Sequence, residues 1–261
     1  NIPFLQDFKT KKAKVITSVA MFYDLEDPNK FVEDIETILD PEGVFIIQQN
    51  YLVGMLEQNA FDNILHEHLE FYSLLSLENL LKRHNLEVFD VSTNDINGGS
   101  FRTYIRFKGS KVAKKGGEEH LELMRIREIE LELDKKEIYL KFAEKVKVLA
   151  EELAIFIRNK VHEGKTIYVY GASTRGNTLL QTAKLDSKQI TAAAERNPWK
   201  WGRKMVGLNI PIISEEEARK CKPDMFLILP WFFKGEFIKR EQEYLKNGGS
   251  LLFPLPKLDI I

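Results

Sequence analysis

Three short stretches of the chain hold residue types able to do chemistry. The first is His66-Glu67-His68, followed by Tyr72. An imidazole titrates near neutrality, and a neighbouring carboxylate can orient it and raise its basicity. His68 as base, with Glu67 beside it and Tyr72 close behind, has the right types for proton abstraction next to a carbonyl. A metal site is not expected. His66 and His68 stand at i and i+2, which share a face only in a strand, and no third ligand is evident. The same residues also suit a pair of satisfied structural histidines, and spacing alone does not choose.

The second stretch is "YGASTRGNT". A strand ending at Tyr170 runs into Gly171-x-Ser173-x-x-Gly176, the spacing of the dinucleotide fingerprint with serine at the middle glycine. Gly171 permits the tight turn and Gly176 close helix packing. The free N–H groups of the helix start can face a phosphate, with Ser173 or Thr174 adding a hydroxyl and Arg175 a charge. Glu195 lies 19 residues beyond Gly176, where a ribose-binding carboxylate sits in such folds. A plain strand-to-helix turn fits the same residues. Nicotinamide cofactors are the weaker ligand class, because the glycine that pyrophosphate approaches most closely is replaced. The third stretch is "INGGSFR". Gly98-Gly99 is either a simple hairpin or a source of backbone N–H groups for an anion or a forming enolate.

The elements that must position these residues follow from periodicity. "AKVITSVAMFYDL" reads as a buried strand running into a turn. Asp27 is placed to cap a helix with Pro28 at its first position, and Phe31, Ile35 and Leu39 recur on one face. A turn at "PEG" precedes a second buried strand ending near Tyr51. "SLENLLKRHN" predicts a short helix capped by Ser76 and ended by Asn85. "LEVFDVSTND" and "SFRTYIRFKG" predict an antiparallel pair at a sheet edge. Residues 13–108 thus read β-α-β-α-β-β.

"GSKVAKKGG" reads as a hinge or exposed turn. Residues 117–160 contain no proline or glycine after Gly117, and Phe142, Val146, Leu149, Leu153 and Phe156 step as a helix seam. A packed connector or a dimerising coiled coil both fit this seam. From Gly164 onward strands at "TIYVY", "QITAAAERNP", "DMFLILPW" and "SLLFPLP" alternate with helices. Among those helices, "SEEEARK" carries a Ser214/Glu217 capping box and "KGEFIKREQEYLKNGG" is closed by glycine. That alternation predicts a parallel sheet covered on both faces.

The totals set limits. At 261 residues the chain fits one large domain or two ordinary ones, and 44% hydrophobic with 30% charged residues is the makeup of a globular protein. A net charge of −1 predicts no bulk attraction to nucleic acid or membrane. The single cysteine, Cys221, excludes an internal disulfide and a multi-thiolate zinc site, so a reduced, cytoplasmic setting is expected. No apolar run approaches the ~20 residues of a membrane span. No signal-peptide layout leads the chain, and the absence of a leading Met predicts that its beginning is missing.

In order along the chain, "AMFYDLEDP", "GVFIIQQNYL", "AFDNILHEHLEFYSLLSLENLLKRHNLEVFDV", "NGGSFRTYIR", "YGASTRGNTLLQ", "AAERNPWKWG", "IPIISEEEA" and "FLILPWFFKGEFIKRE" resemble S-adenosylmethionine-dependent sugar C-methyltransferases. These enzymes methylate a carbon of a nucleotide-linked keto-deoxysugar, for deoxysugar or surface-glycan synthesis. The resemblance spans nearly everything from residue 13 and is most specific over Phe61–Arg102.

The resemblance implies an α/β protein of two Rossmann-like halves joined by long helices. A partial methyltransferase domain of later strands is expected over 1–110, a helical connector over 111–162 and a C-terminal Rossmann-like domain over 163–261. His68 would be the base that removes the acidic proton beside the sugar ketone, assisted by Glu67, with the enolate charge stabilised by backbone donors or Tyr72. S-adenosylmethionine would lie against the segments Met21–Asp24 and Gln48–Asn50, with Met21, Tyr23, Gln48 and Gln49 as its contacts. The nucleotide sugar would meet His66, Asn97, Gly98 and Gly99, and in the C-terminal block Gly171, Ser173, Arg175, Gly176, Asn177, Glu195 and Arg196. Many relatives carry histidine where Asn97 stands.

The departures are equally specific. No Cys-x-x-Cys pair is present, so the family's zinc-binding region is expected outside this chain. No glycine-rich cofactor motif precedes "AKVIT", and "QDFKTKKAK" is expected to join segments separated in the family pattern. The rival readings are an NAD(P)-binding oxidoreductase and a non-catalytic sugar-nucleotide-binding module.

Overall fold

A computed structural model describes residues 11–261. The leader reading and most of "QDFKTKKAK" fall outside them. The chain forms two compact units, divided differently from 1–110, 111–162 and 163–261. One comprises residues 11–57 with His66–Tyr139, and the other Gln58–Leu65 with Leu140–Ile261. The expected connector is therefore shared between them, and the chain leaves the first unit for eight residues immediately before His66.

In the first unit, β1 (Ala13–Val19) pairs in parallel with β2 (Leu39–Asn50), and α1 (Pro28–Ile38) links them. Asp27 caps α1 by accepting the Lys30 N–H at 2.9 Å, as its position predicts. Leu39 is the C-cap of α1 and opens β2, so it is buried at the strand start and not on the helix face. The "PEG" turn survives as a register shift between β1 and β2. A short helix, α2 (Leu52–Glu57), follows.

Helix α3 (Leu74–Leu81) starts three residues earlier than expected. Its N-cap is Ser73, and Ser76 is the reciprocal partner at N3, so serine does the work of the usual Glu or Gln in the capping box. After a 3₁₀ turn at Lys82–His84, Asn85 adopts φ 52° and stops the helix.

β3 (Leu86–Asn94) and β4 (Ser100–Phe107) are antiparallel, and β4 also pairs with β2, giving the order β1-β2-β4-β3. β1 was expected to be buried. It is an edge strand, and Val15 and Val19 are 61% and 60% exposed. Along β2 the alternation is clear, with Phe45, Ile47 and Gln49 buried and Val44, Ile46 and Gln48 half-buried. The buried set joins Phe22, Ile35, Leu74, Leu77 and Phe101 in one core.

Helix α4 (Gly117–Glu130) adds Leu121 and Met124 to that core. Its buried Glu128 accepts the N–H groups of Leu74 and Leu75 (2.5 and 3.0 Å) and the Tyr51 hydroxyl (3.0 Å). A carboxylate thus neutralises the positive end of α3. The "GSKVAKKGG" turn is tied down through Lys114, whose ammonium reaches the buried Asp90 at 2.5 Å.

The helical run ends α4 at Glu130 and restarts as α5 (Lys136–His162). In the second unit α5 buries Phe142, Ala150, Leu153, Ala154 and Ile157; Val146, Leu149 and Phe156, expected in the seam, are only half-buried. The sheet there comprises β5 (Ile167–Tyr170), β6 (Ala192–Glu195), β7 (Ile212–Ser214), β8 (Met225–Ile228), β9 (Ser250–Phe253) and β10 (Asp259–Ile260). Its order is β10-β9-β8-β5-β6-β7, parallel except for β10. The short strands β7 and β10 were not anticipated. The connecting helices are α6 (Thr174–Thr182), α7 (Glu215–Lys220), α8 (Lys234–Arg240) and α9 (Gln242–Lys246). The last two were expected as one helix. The break falls at Glu241, whose carboxylate turns inward to Arg219 (2.7 Å) and Arg240 (3.0 Å). Strand order reverses between β5 and β8, and the carboxyl ends of such strands are where doubly wound sheets bind ligands.

Candidate active site

In the first unit the carboxyl ends of β1 and β2 lead into Met21–Asp24 and Tyr51, the segments expected to meet the cofactor. The His66-Glu67-His68 loop is fastened to the first of them. The Tyr23 carbonyl accepts the N–H groups of Leu69 (3.0 Å) and Glu70 (3.1 Å). The His68 ring meets the Tyr23 ring edge-on with centroids 4.5 Å apart. His68 is half-buried, while Glu67 and His66 face solvent, with His66 Nε2 3.9 Å from the Glu67 carboxylate.

Asp24 joins this group. Partial burial pushes its carboxyl above the usual aspartate range, against the pull of His68, and Glu67 pushes it further up. Asp24 was legible only as part of a segment; its place beside His68 was not. Tyr72 sits in the core with its ring 5.3 Å from Phe22. Burial, reinforced by Glu70, raises its phenol, so it stays protonated and can only donate or accept as O–H.

Gln48 carries the Arg102 guanidinium, with Arg102 Nε 2.8 Å from its Oε1. Gln49 is 2% exposed, and neither of its amide atoms has a protein partner. A buried amide without partners costs free energy until something bonds it, and this one stands next to the ligand-binding end of a parallel strand. That fits a polar group of a cofactor or substrate.

The glycine turn settles one sequence alternative. Asn97, Gly98 and Gly99 have φ of 57°, 83° and 112°, which L side chains rarely adopt. A Cβ on Gly54 would meet Gly99 Cα at 3.0 Å, and the Gly99 carbonyl accepts the Tyr51 N–H at 3.1 Å. The turn thus packs at the end of β2. The Gly98 and Gly99 N–H groups are bonded to Asp95 and Ile96 (3.3 and 3.2 Å), so they are hairpin donors and not free ones for an enolate.

The second unit holds the other expected residues. Gly171 has φ 86° and donates to Ala194 at 2.8 Å. Ser173 caps α6 by accepting the Gly176 N–H (3.1 Å), and a Cβ on Gly176 would meet Leu229 at 2.7 Å, so this glycine serves close packing as expected. Several of the groups expected to face a phosphate or ribose, however, are engaged within the protein. Glu195 accepts the Ala172 N–H (2.9 Å) and the Asn197 N–H (3.0 Å), with Lys200 3.5 Å away. Burial would raise its carboxyl, but these N–H groups and Lys200 hold it below the usual range. Asn177 donates to the Val206 carbonyl (3.2 Å), and Arg196 pairs with Glu215 (3.2 Å).

Arg175 meets an anion from the chain itself. Asp62, 1% exposed, accepts Arg175 Nε (2.9 Å) and the Trp231 indole N–H (3.2 Å), with Arg175 Nη2 at ion-pair distance (2.7 Å). Phe232 lies under the guanidinium, 4.6 Å away. The segment 58–65 thus seats a carboxylate at the first turn of α6, where the fingerprint reading expected a phosphate. No sequence signal pairs Asp62 with residues more than a hundred positions away. Among the described residues no group of His, Cys, Asp or Glu is arranged to hold a metal, and no helix is long and apolar enough to cross a membrane.

Comparison with known proteins bears on the whole chain. Residues 95–256 match the family described as C-methyltransferase C-terminal domain, and residues 2–91 match a methyltransferase domain. C-methyltransferase NovU of Streptomyces niveus is 32% identical over 249 residues, covering 95% of this chain and 59% of its own length. The chain thus spans about three fifths of that curated relative. Among solved structures, the methyltransferase in complex with the Trm112 activator of Haloferax volcanii is 18% identical, covering 41% of this chain and 57% of its own, with a TM-score of 0.33. The M1.HpyAVI–SAM complex is 13% identical over 83% of this chain and 90% of its own, with a TM-score of 0.27. Such weak overlaps carry no functional argument. The sequence matches do: the chain belongs to the C-methyltransferase family.

Proposed function

We propose that the protein acts in S-adenosylmethionine-dependent C-methylation of a nucleotide-linked keto-deoxysugar, with His68 as the base. The observation that carries this reading is the packing of His68 against Tyr23. Two segments chosen for different roles, proton abstraction and cofactor contact, are hydrogen-bonded and ring-packed to each other. Met21, Tyr23, Gln48 and Gln49 are the residues that would hold the cofactor, whose contribution is an electrophilic methyl group.

His68 takes the proton from the carbon beside the ketone, and the resulting enolate carbon is the nucleophile. Glu67 and Asp24 lie where their negative charge favours the imidazolium formed by that transfer. The protonated Tyr72 hydroxyl is the donor left for the enolate oxygen, since the Gly98 and Gly99 N–H groups are engaged. Against an NAD(P)-linked reading, the Ala172 N–H and the Arg175 guanidinium of the Gly171–Gly176 turn already hold the carboxylates of Glu195 and Asp62.

The test is incubation with S-adenosylmethionine and a panel of nucleotide keto-sugars, read as a mass gain of one methylene. His68→Ala is expected to lower turnover by about 10²–10⁴-fold, the usual contribution of a general base, while cofactor affinity is kept. Turnover near that of the unmodified protein would remove His68 from the mechanism.

A further inference from the structure

In the fingerprint turn of the second unit the Ala172 and Gly176 N–H groups and the Arg175 guanidinium are already bonded to Glu195, Ser173 and Asp62, and a second place on this unit offers a ring and cations for a nucleotide. We infer that the hairpin between β6 and β7 is that place, and that it binds a nucleoside diphosphate by stacking the base on Trp201 and pairing the phosphates with Arg203 and Lys204. This deepens the reading of the substrate as nucleotide-linked and rests on it.

The hairpin is ordered from within. Met205, Leu208 and Ile210 are buried beneath it. Its strands are tied by Met205 N–H to Ile210 (2.9 Å), Ile212 N–H to Arg203 (2.8 Å) and Gly202 N–H to Ile212 (2.9 Å). On this base stand two tryptophans that the core does not use. Trp199 is 81% exposed and Trp201 44% exposed. Trp201 is nevertheless fixed, because its indole N–H donates to the Glu195 carbonyl at 2.7 Å. A large ring that is half open yet held in one orientation is a stacking surface with little entropy left to lose.

The charges beside it are available. Lys200 is spent on the Ala172 carbonyl (2.9 Å) and Glu195, and Arg196 on Glu215. Arg203 and Lys204 are exposed, and no ion pair or side-chain hydrogen bond engages either of them among the described residues. Trp201, Arg203 and Lys204 line one groove of about 290 Å³. It runs along β7, on the side of the sheet order where β6 and β7 lie. Glu217 also lines it, so the phosphates belong at the Arg203–Lys204 end and the base at Trp201. A planar ring fixed in a groove with two unpaired cations matches an aromatic base joined to a diphosphate.

The test is calorimetric titration of the 261-residue chain with uridine, thymidine, guanosine and adenosine diphosphates, and with inorganic pyrophosphate. At least one nucleoside diphosphate is expected to bind, more tightly than pyrophosphate. Trp201→Ala should weaken it roughly 5- to 150-fold, the range of one base stacked on one aromatic ring. Trp201→Phe should restore part of the loss. Should Trp201→Ala disturb the fold, the exposed pair Arg203→Ser/Lys204→Ser carries the test, with an expected loss of about 10-fold or more and a flatter salt dependence. Equal affinity in the unmodified chain and these variants, or pyrophosphate binding as tightly as the nucleotide, would overturn the assignment and leave the substrate reading standing. If no nucleoside diphosphate binds the unmodified chain, the assignment falls, and the methyl-transfer assay alone decides the substrate reading.

Discussion

Asp62 shows how much a single side chain can carry without any local signature. It is sealed in the second unit, with a guanidinium and an indole N–H converging on one carboxylate oxygen. Removing it takes away the carboxylate that faces the mostly buried Arg175 charge. Asp62→Ala is therefore expected to cost about 3–5 kcal/mol in denaturant unfolding, as breaking a buried pair does. A double substitution, Asp62→Leu with Arg175→Met, should recover much of that loss, because two well-packed apolar side chains leave no charge unpaired. At this scale the sequence was legible where one residue acts on its near neighbours. Asp27 capping Lys30 was read from spacing, whereas the Ser173 hydroxyl, expected at a phosphate, caps Gly176. The Asp24–His68 proximity, the orphaned Gln49 amide and the Asp62–Arg175 pair could not, since each depends on which segments the fold brings together.

The elements were read well in type and less well at their ends. The break between α4 and α5 is the clearest case. No glycine or proline marks it, yet Glu132 takes φ 53°, its N–H bonds Ile129 (2.9 Å) and the Leu133 N–H reaches Glu128 (3.5 Å). These are the two bonds of a Schellman cap, with Leu131 and Leu133 packing onto the core in place of a sequence stop signal. Side-chain burial two residues apart forced a left-handed residue that local propensity would not choose. Glu132→Gly is thus expected to stabilise the protein by about 0.5–1 kcal/mol, measured as a higher melting temperature. β1 failed for the opposite reason. Its valines look like core residues, but an edge position exposes them, and edge status depends on strand order and not on composition.

Across the whole molecule, several carboxylates are held in their charged form by the fold. Asp224 joins the starts of β5 and β8, accepting the Thr166 N–H (2.9 Å), the Lys165 ammonium (2.9 Å) and the Thr166 hydroxyl (2.9 Å), which lower it to about 2. Asp90 and Glu241 are also held low: burial opposes this, but Lys114 and His120 outweigh it for the first and Arg219 for the second. A depressed folded-state value gives stability that is present above the unfolded value and is lost as pH falls through the folded one. For Asp224 that window runs from 3.8 down to about 2. Melting temperature should fall across it, and Asp224→Asn should both lower the neutral-pH value and flatten this part of the profile. The α/β class and the alternation of the C-terminal half were visible in the sequence, because hydrophobic period and glycine placement set them. The division into units was not, because it turns on where one octapeptide lodges.

That octapeptide has a practical corollary. Residues 58–65 complete the second unit although the stretches on both sides of them complete the first. No single cut can therefore dissect the polypeptide into two self-sufficient parts. A fragment beginning at Leu140 would bare the Arg175 guanidinium and one edge of Trp231, and a synthetic peptide carrying Asp62 supplied in trans is the natural complement to restore it.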